Sequence, residues 1–273
     1  MPELPEVETV KRTLNHLVKG KTIERVEVNY APLVKGDLTA FKNTLSNVPI
    51  QAIERKGKFL LFDLGNNYLL SHLRMEGKYF IKPAEKPIDK HEHVIFYLAD
   101  GDTLRYHDVR KFGTMEIKDK RTAFNTPPLS LLGSEPIAPS FEPIQLYKTL
   151  KQKKKAVKTA LLDQRVISGL GNIYVDETLF CANIHPEKRT YKITKKEAHT
   201  LAVCAKNVLQ KAVDLGGASI RSYTDSLGIS GRFQNELKVH LKKGEPCETC
   251  NTLITKIKVN GRGTYFCKTC QKR

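Results

Sequence analysis

No apolar run in this chain approaches the ~20 residues that a transmembrane helix needs. No basic-then-apolar leader precedes its acidic start, so the expected location is cytoplasmic. Internal repeats and long low-complexity tracts are missing too, which sets repeat architectures aside. Acidic side chains are the minority: 29 Asp plus Glu stand against 46 Lys plus Arg, a net charge of +17. Such a surface favours polyanions; DNA or RNA is the leading partner and an anionic membrane the rival. A disulfide framework is lacking as well. Cys181 and Cys204 lie in helix-like, partly apolar segments and read as core thiols, while the other four cysteines crowd the C-terminus, a metal-site pattern.

At 273 residues there is room for two domains and a small module. Val7, Val10, Leu14 and Leu17 fall at helical spacing and predict a helix over 3–19. Strand-like runs follow at 22–30, 50–64, 68–73, 78–82, 93–99, 103–106 and 113–117, with Asp100-Gly101 as a hairpin turn. Strands running both ways favour a sandwich over a parallel sheet. A connector with Pro127, Pro128, Pro136, Pro139 and Pro143 leads to a helical pattern. One lysine-rich helix is expected over 143–167, a break at 168–172, and a second helix from Ile173 to Ala182. A third runs from about 195 to 215, opening on the capping box Thr194-Lys195-Lys196-Glu197 and closing on Gly216-Gly217. Residues 218–233 are polar and aperiodic, a loop over a ligand or a linker.

Cys247-x-x-Cys250, 16 residues, then Cys267-x-x-Cys270 suits tetrahedral zinc on two knuckles. No ligand position is left open, so this Zn2+ is structural, and so short a segment cannot build an adequate core without it. Between the knuckles, Arg262 stands between two glycines at an apparent hairpin tip, where an arginine can meet phosphate or simply be solvated.

Residues 2–6 read Pro-Glu-Leu-Pro-Glu. Removal of Met1 would leave Pro2 with a secondary amine of pKa about 8, against about 10.4 for lysine. Such an amine can attack a sugar carbon and form an iminium that is charged without needing a proton. Glu3 and Glu6 supply carboxylates for acid/base work. Pro and Glu also suit any helix N-terminus, so the motif alone does not decide. Lys58 follows Lys56 by two residues, on one face of a strand if the run is continuous. Gly169-Leu170-Gly171-Asn172 can bring backbone amides and a helix N-terminus to a phosphate, and Lys153, Lys154, Lys155 and Lys158 precede it as a phosphate-tracking or solvated face. Met75, Arg110 and Phe112 fall at turns between strands, as core residues or as wedges that fill a gap in a base stack.

Taken in order, these motifs resemble one family over essentially the whole chain. They are Pro-Glu-Leu-Pro-Glu-Val-Glu-Thr, the Lys58 segment, Asp108-Val109-Arg110-Lys111-Phe112-Gly113, Gly-Leu-Gly-Asn-Ile-Tyr and the four-cysteine finger. The family is the bacterial formamidopyrimidine-DNA glycosylases, which are 8-oxoguanine DNA glycosylase/AP lyases. The resemblance implies an α+β multidomain protein: an N-terminal β-sandwich with flanking helices over 1–120, a linker over 121–142, a helix–two-turn–helix domain over 143–233 and a zinc finger over 239–273. It implies that Pro2 attacks C1′ of the damaged nucleotide, that Glu3 is general acid and proton shuttle with Glu6 beside it, and that Lys58 and Arg262 donate protons in β- and δ-elimination. His91, Arg110 and Lys153 would contact DNA, and Asn172 and Lys158 phosphate at the lesion. Met75, Arg110 and Phe112 would fill the void left by the flipped base. Glu76, Ser219, Ile220, Arg221, Tyr223 and Thr224 would belong to the lesion loop. The implied partner is double-stranded DNA with a damaged purine or abasic site, and a monomer is the default.

Two departures from the family pattern stand out. Residues 158–161 read Lys-Thr-Ala-Leu where Lys-Pro and an aromatic are frequent, and Lys-Val-His-Leu after Leu237 stands where Val-Tyr-Gly is common. One alternative is the sister enzyme endonuclease VIII, acting on oxidised pyrimidines; its opening more often has Gly where Leu4 stands, and it lacks the Arg110/Phe112 wedge. The other is a non-enzymatic zinc-ribbon nucleic-acid binder, which leaves the N-terminal run and Lys58 unexplained.

Overall fold

The structure is a computed structural model, and it describes residues 1–218 and 231–273. Two compact units emerge. One holds Met1–Ser130 with Ala218 and Gly231; the other holds Leu131–Gly217 and Arg232–Arg273.

The first unit opens on α1 (Leu4–Val18), whose Val7, Val10 and Leu14 are buried as the helical spacing predicts; Val18 completes the buried stripe, and Leu17, expected in it, is only half-buried. β1 (Thr22–Val28), β2 (Val34–Lys35), α2 (Leu38–Thr44) and β3 (Val48–Pro49) follow. Then come β4 (Ala52–Lys56), β5 (Phe59–Asp63), β6 (Asn67–His72), β7 (Lys78–Pro83), β8 (Glu92–Leu98), β9 (Asp102–His107) and β10 (Thr114–Asp119). They form two five-stranded sheets, ordered β3-β1-β8-β9-β7 and β2-β10-β6-β5-β4. All pairings are antiparallel except β10 with β2. The sheets face each other across an apolar core. Phe62 of β5 stacks on Phe96 of β8 at 6.5 Å and tilts against Tyr79 of β7 at 5.5 Å. Tyr79 donates its buried hydroxyl proton across the layers to Ser71 at 2.7 Å. This is the expected sandwich. The edge of β4 lies under α1, where Asn15 pairs with both the amide and the carbonyl of Ile53, so the edge does not stand open.

The strand expected over 50–64 is two strands. β4 turns into β5 through Gly57-Lys58, and Gly57 takes φ +58° as the first residue of a two-residue hairpin. Lys58 therefore sits in a turn, not beside Lys56 on a strand face. α2 was not anticipated; Asp37 caps it by accepting from the Ala40 amide at 2.7 Å.

The second unit contains α3 (Pro143–Lys151), α4 (Val157–Leu161), α5 (Asn172–Cys181) and α6 (Lys195–Asp214), then the hairpin β11 (Thr255–Val259) and β12 (Arg262–Phe266). The single helix expected over 143–167 is broken at 152–156. Lys153, Lys154 and Lys155 offer no apolar side chain to bury, and the backbone there pairs with a neighbouring segment instead: Ala156 bridges Arg189, and the Thr190 amide donates to the Lys155 carbonyl. The Thr194 capping box of α6 forms as expected, with Glu197 reaching back to the Thr194 amide. α5 is buried through seven consecutive residues, Tyr174 to Phe180, so it is enclosed on every side. Cys181 and Cys204 are not core thiols. Packing of α5 on α6 brings their Cα atoms to 5.8 Å, within disulfide reach, and the sulfurs are bonded. No helix among the described residues is long and apolar enough to cross a membrane.

Candidate active site

The N-terminal end of α1 gathers the first group. Pro2 is buried, Met1 beyond it is exposed, and Glu3 and Glu6 are 2% and 3% exposed. Glu6 accepts the Glu3 amide at 2.8 Å on one oxygen and the Ala218 amide at 2.7 Å on the other. Both oxygens thus serve the backbone, which makes Glu6 an anchor for the chain start. Two residues on, Glu8 accepts from Arg55 at 2.8 Å, and Arg55 also donates to the Gly57 carbonyl at 2.9 Å. Burial pushes the Glu8 carboxyl up, but Arg55 and Lys11 outweigh it and hold the group below its ordinary range. This relay fastens the β4–β5 turn to α1, and Lys58 on that turn is 5% exposed. Burial, helped by the positive charges of Arg74 and Lys58, pulls His72 down to about 3, so its imidazole is neutral at physiological pH. With Met1 removed, a Pro2 secondary amine beside a buried carboxylate and a buried lysine on elements tied together could run imine chemistry.

A second group projects from loops of the same unit. Met75 is half-buried and Glu76 exposed, between β6 and β7; Arg110 and Phe112 are exposed between β9 and β10. Phe112 is 51% exposed with the Arg110 guanidinium 4.7 Å over its ring, so it is no core residue. The buried Asp108 carboxylate shapes this loop, accepting the amides of Arg110 and Phe112 at 3.0 Å and of Gly113 at 2.8 Å. Tyr106 places its hydroxyl where both glycines leave room: a Cβ at Gly77 would lie 2.3 Å from that oxygen, and one at Gly113 1.7 Å. One side chain therefore seats both loops. His91 is half-buried and its carbonyl accepts the Asp108 amide at 3.0 Å. The segment leading to it is gripped by the fully buried Arg105, which donates to the carbonyls of Pro83, Lys86 and Pro87 and to Glu92.

The second unit presents the basic groups. Lys154 and Lys155, with Arg189 and Lys258, line a cavity of about 490 Å³, and Lys153 is half-buried beside them in sequence. Asn172, the first residue of α5, donates to the Gly263 carbonyl at 3.0 Å. The resemblance put Lys158 on phosphate, and the geometry corrects this. Its side chain is fully buried and donates to Asp176 at 2.7 Å and to the Gly263 carbonyl at 3.1 Å. Arg262 is exposed and opens β12; Asn260 and Gly261, with φ of +46° and +76°, form the tip itself. The Sγ atoms of Cys247, Cys250, Cys267 and Cys270 all lie within 4.8 Å of one another, close to the about 3.8 Å edge of a tetrahedron with 2.3 Å zinc–sulfur bonds. The four thiols fit one structural zinc. Ser219, Ile220, Arg221, Tyr223 and Thr224 lie outside the described residues.

Sequence reasoning missed Asp108, Arg105, Asp176 and His240. A signal existed for one of them: Asp176-Glu177 interrupts an otherwise apolar helix, and a buried carboxylate demands partners.

Residues 1–115 match the formamidopyrimidine-DNA glycosylase N-terminal domain, 132–224 the H2TH domain of the same enzymes, and 244–273 the zinc finger found in FPG and IleRS. The chain is 52% identical over 275 residues to the formamidopyrimidine-DNA glycosylase of Bacillus subtilis, covering all of both chains. It is 50% identical to that of Exiguobacterium sibiricum, over 100% of this chain and 99% of that one. Among solved structures, the complex of Lactococcus lactis Fpg with abasic-site DNA superposes with a TM-score of 0.94 at 43% identity, covering both chains completely.

Proposed function

The chain belongs to the formamidopyrimidine-DNA glycosylase family, and from that membership we propose which of its residues perform each step. It is a base-excision repair DNA glycosylase and AP lyase, its partner is damaged DNA, and it carries one structural zinc. The zinc orders the finger and takes no part in bond breaking.

Removal of Met1 frees the Pro2 amine. Its lone pair attacks C1′ of an everted 8-oxoguanine or formamidopyrimidine nucleotide. The C1′–N bond breaks, and the base leaves with the electron pair and gains a proton, with Glu3 as acid and shuttle. Ring opening gives an iminium between Pro2 and C1′, which acidifies the C2′ protons. Loss of one of them expels the 3′-phosphate by β-elimination, with Lys58 as proton donor. A second elimination releases the 5′-phosphate, with Arg262 as donor, and leaves a one-nucleotide gap. Met75, Arg110 and Phe112 occupy the vacated stack, while His91, Lys153 and Asn172 hold the backbone. Glu76 and residues Ser219–Thr224 attend the everted base. The division into a catalytic segment 1–120, a connector 121–142, a DNA-binding domain 143–233 and a finger 239–273 is part of the same reading. So is a monomer at the bacterial nucleoid, which the net charge of +17 favours.

The observation that carries this reading is the buried Pro2–Glu3 start of α1, bound through Glu8 and Arg55 to the turn bearing Lys58. Borohydride trapping on a duplex with 8-oxoguanine opposite cytosine tests it. Wild type gives a covalent band mapping to the N-terminal peptide, and Pro2→Gly slows its formation by at least about 10²-fold. A variant that traps at the wild-type rate would sink the assignment. Faster cleavage of a thymine glycol duplex would shift the reading to endonuclease VIII chemistry.

A further inference from the structure

The finger presents a mechanical difficulty that zinc does not solve. Arg262 begins β12 and the nearest zinc ligand, Cys267, follows its end. Four strand residues separate them, so five residue steps span about 16 Å along an extended chain. A metal at the base of a two-stranded ribbon leaves the far end to bend, since an isolated hairpin has little stiffness of its own.

The structure supplies a second fastening close to Arg262. The carbonyl of Gly263, the very next residue, accepts from Lys158 Nζ at 3.1 Å and from Asn172 at 3.0 Å. Lys158 is held in turn by Asp176 Oδ1 at 2.7 Å, both side chains fully buried. The other Asp176 oxygen accepts the Tyr265 amide at 3.2 Å and bonds His240 Nδ1 at 2.9 Å. Glu177, beside it on α5, accepts the amides of Lys238, Val239 and His240 and so fixes the turn segment leading into the finger. A buried ion pair contributes little net stability but specifies one geometry, because any slippage leaves a charge without partners. Here the geometry specified is that of β12 at Gly263 and Tyr265, on either side of which lie Arg262 and the zinc knuckle. His240 stands where the family commonly has tyrosine, so in this chain an imidazole completes the network.

We infer that Lys158 and Asp176 are positioning residues for Arg262: the buried pair sets where the guanidinium is delivered, and zinc sets only the ribbon's base. The inference rests on the assignment of Arg262 to δ-elimination.

The readout is the ratio of δ- to β-elimination products on a duplex with a preformed abasic site, which bypasses base excision. Lys158→Met is compared with wild type and with Arg262→Ala, each confirmed to hold one zinc. The double variant Lys158→Met/Asp176→Leu removes both charges together, so no unpaired buried charge unfolds it. Both network variants are expected to lower the δ-to-β ratio at least about tenfold, approaching Arg262→Ala; tenfold corresponds to about 1.4 kcal/mol of barrier. Should Arg262→Ala lower the ratio while the folded double variant keeps the wild-type value, the positioning role is overturned and the Arg262 assignment stands. Should Arg262→Ala itself keep the wild-type ratio, the assignment and the inference fall together.

Discussion

The sandwich and the finger of this molecule solve the same problem with different materials. In the sandwich, Leu60, Phe62, Leu69, Phe96 and their neighbours enclose a contiguous apolar core, with aromatic rings stacked across the two sheets. At the finger, the buried apolar cluster is six residues, two of them cysteines. So little apolar area cannot offset the entropy of ordering the chain. Metal ligation and the buried Lys158–Asp176 pair, with the His240 bond to Asp176, supply the missing definition. The lesson is that these two regions answer to different perturbations: the sandwich to lost volume, the finger to lost ligands.

Metal removal gives the largest contrast. Structural zinc sites of this type carry about 10–16 kcal/mol of apparent binding energy in peptides. Chelation, or Cys250→Ser, is expected to abolish hydrogen-exchange protection in β11–β12 while leaving the β5–β6 amides protected. Retained hairpin protection in a verified metal-free sample would refute the division. Next comes volume. Phe62→Ala leaves a cavity between the sheets and costs about 3–5 kcal/mol, measurable as a lower urea midpoint with an unchanged slope. A loss below about 1 kcal/mol would mean that the core collapses into the gap.

A smaller effect sharpens the comparison by showing that the sandwich contains one charge-sensitive site. His72 titrates at about 3 in the fold, against about 6.5 in the unfolded chain. Between those values the unfolded chain binds a proton that the native state does not. His72 stability is therefore fully present above pH 6.5 and lost as pH falls, at up to about 1.4 kcal/mol per pH unit. Urea melts at pH 7 and pH 5 should show a larger loss for wild type than for His72→Gln; equal losses would remove His72 from the account. Smallest is a gain in the segment entering the finger. Leu241 takes φ +66° and is 51% exposed, at a position where the family commonly has glycine. Leu241→Gly should stabilise by about 1 kcal/mol, because glycine adopts that backbone without steric cost. A lower melting temperature would show that the leucine makes contacts worth more than the strain.

What the sequence revealed follows the same division. The α1 stripe and the Thr194 capping box are local, with partners a few residues apart, and the paired Cys-x-x-Cys spacing is a metal pattern recognisable across its 16-residue gap, so each was readable. Lys58 was misplaced because Lys56 and Phe59 look like one strand, although the glycine between them was the available turn signal. The break after Lys151 depends on a segment more than thirty residues away, and His240 finds Asp176 across 64 positions. No periodicity records such partners. The reading of Lys158 failed for the same reason: a lysine in a basic run looks solvated until its carboxylate, 18 residues on, is known.

Tyr106 also constrains how this molecule can drift. Its hydroxyl fills the space beside Gly77 and beside Gly113, so neither glycine is free to change while the tyrosine stays. Loss of the hydroxyl through Tyr106→Phe would remove the nearest atom to both, yet a ring carbon would still lie 2.7 Å from a Cβ at Gly113, and the Leu73 carbonyl 2.8 Å from one at Gly77. Both glycines thus remain blocked even after the first step. The two loops bearing Met75 and Phe112 are bound into a single heritable unit, in which useful variation must come from the side chains they carry and not from the backbone that presents them.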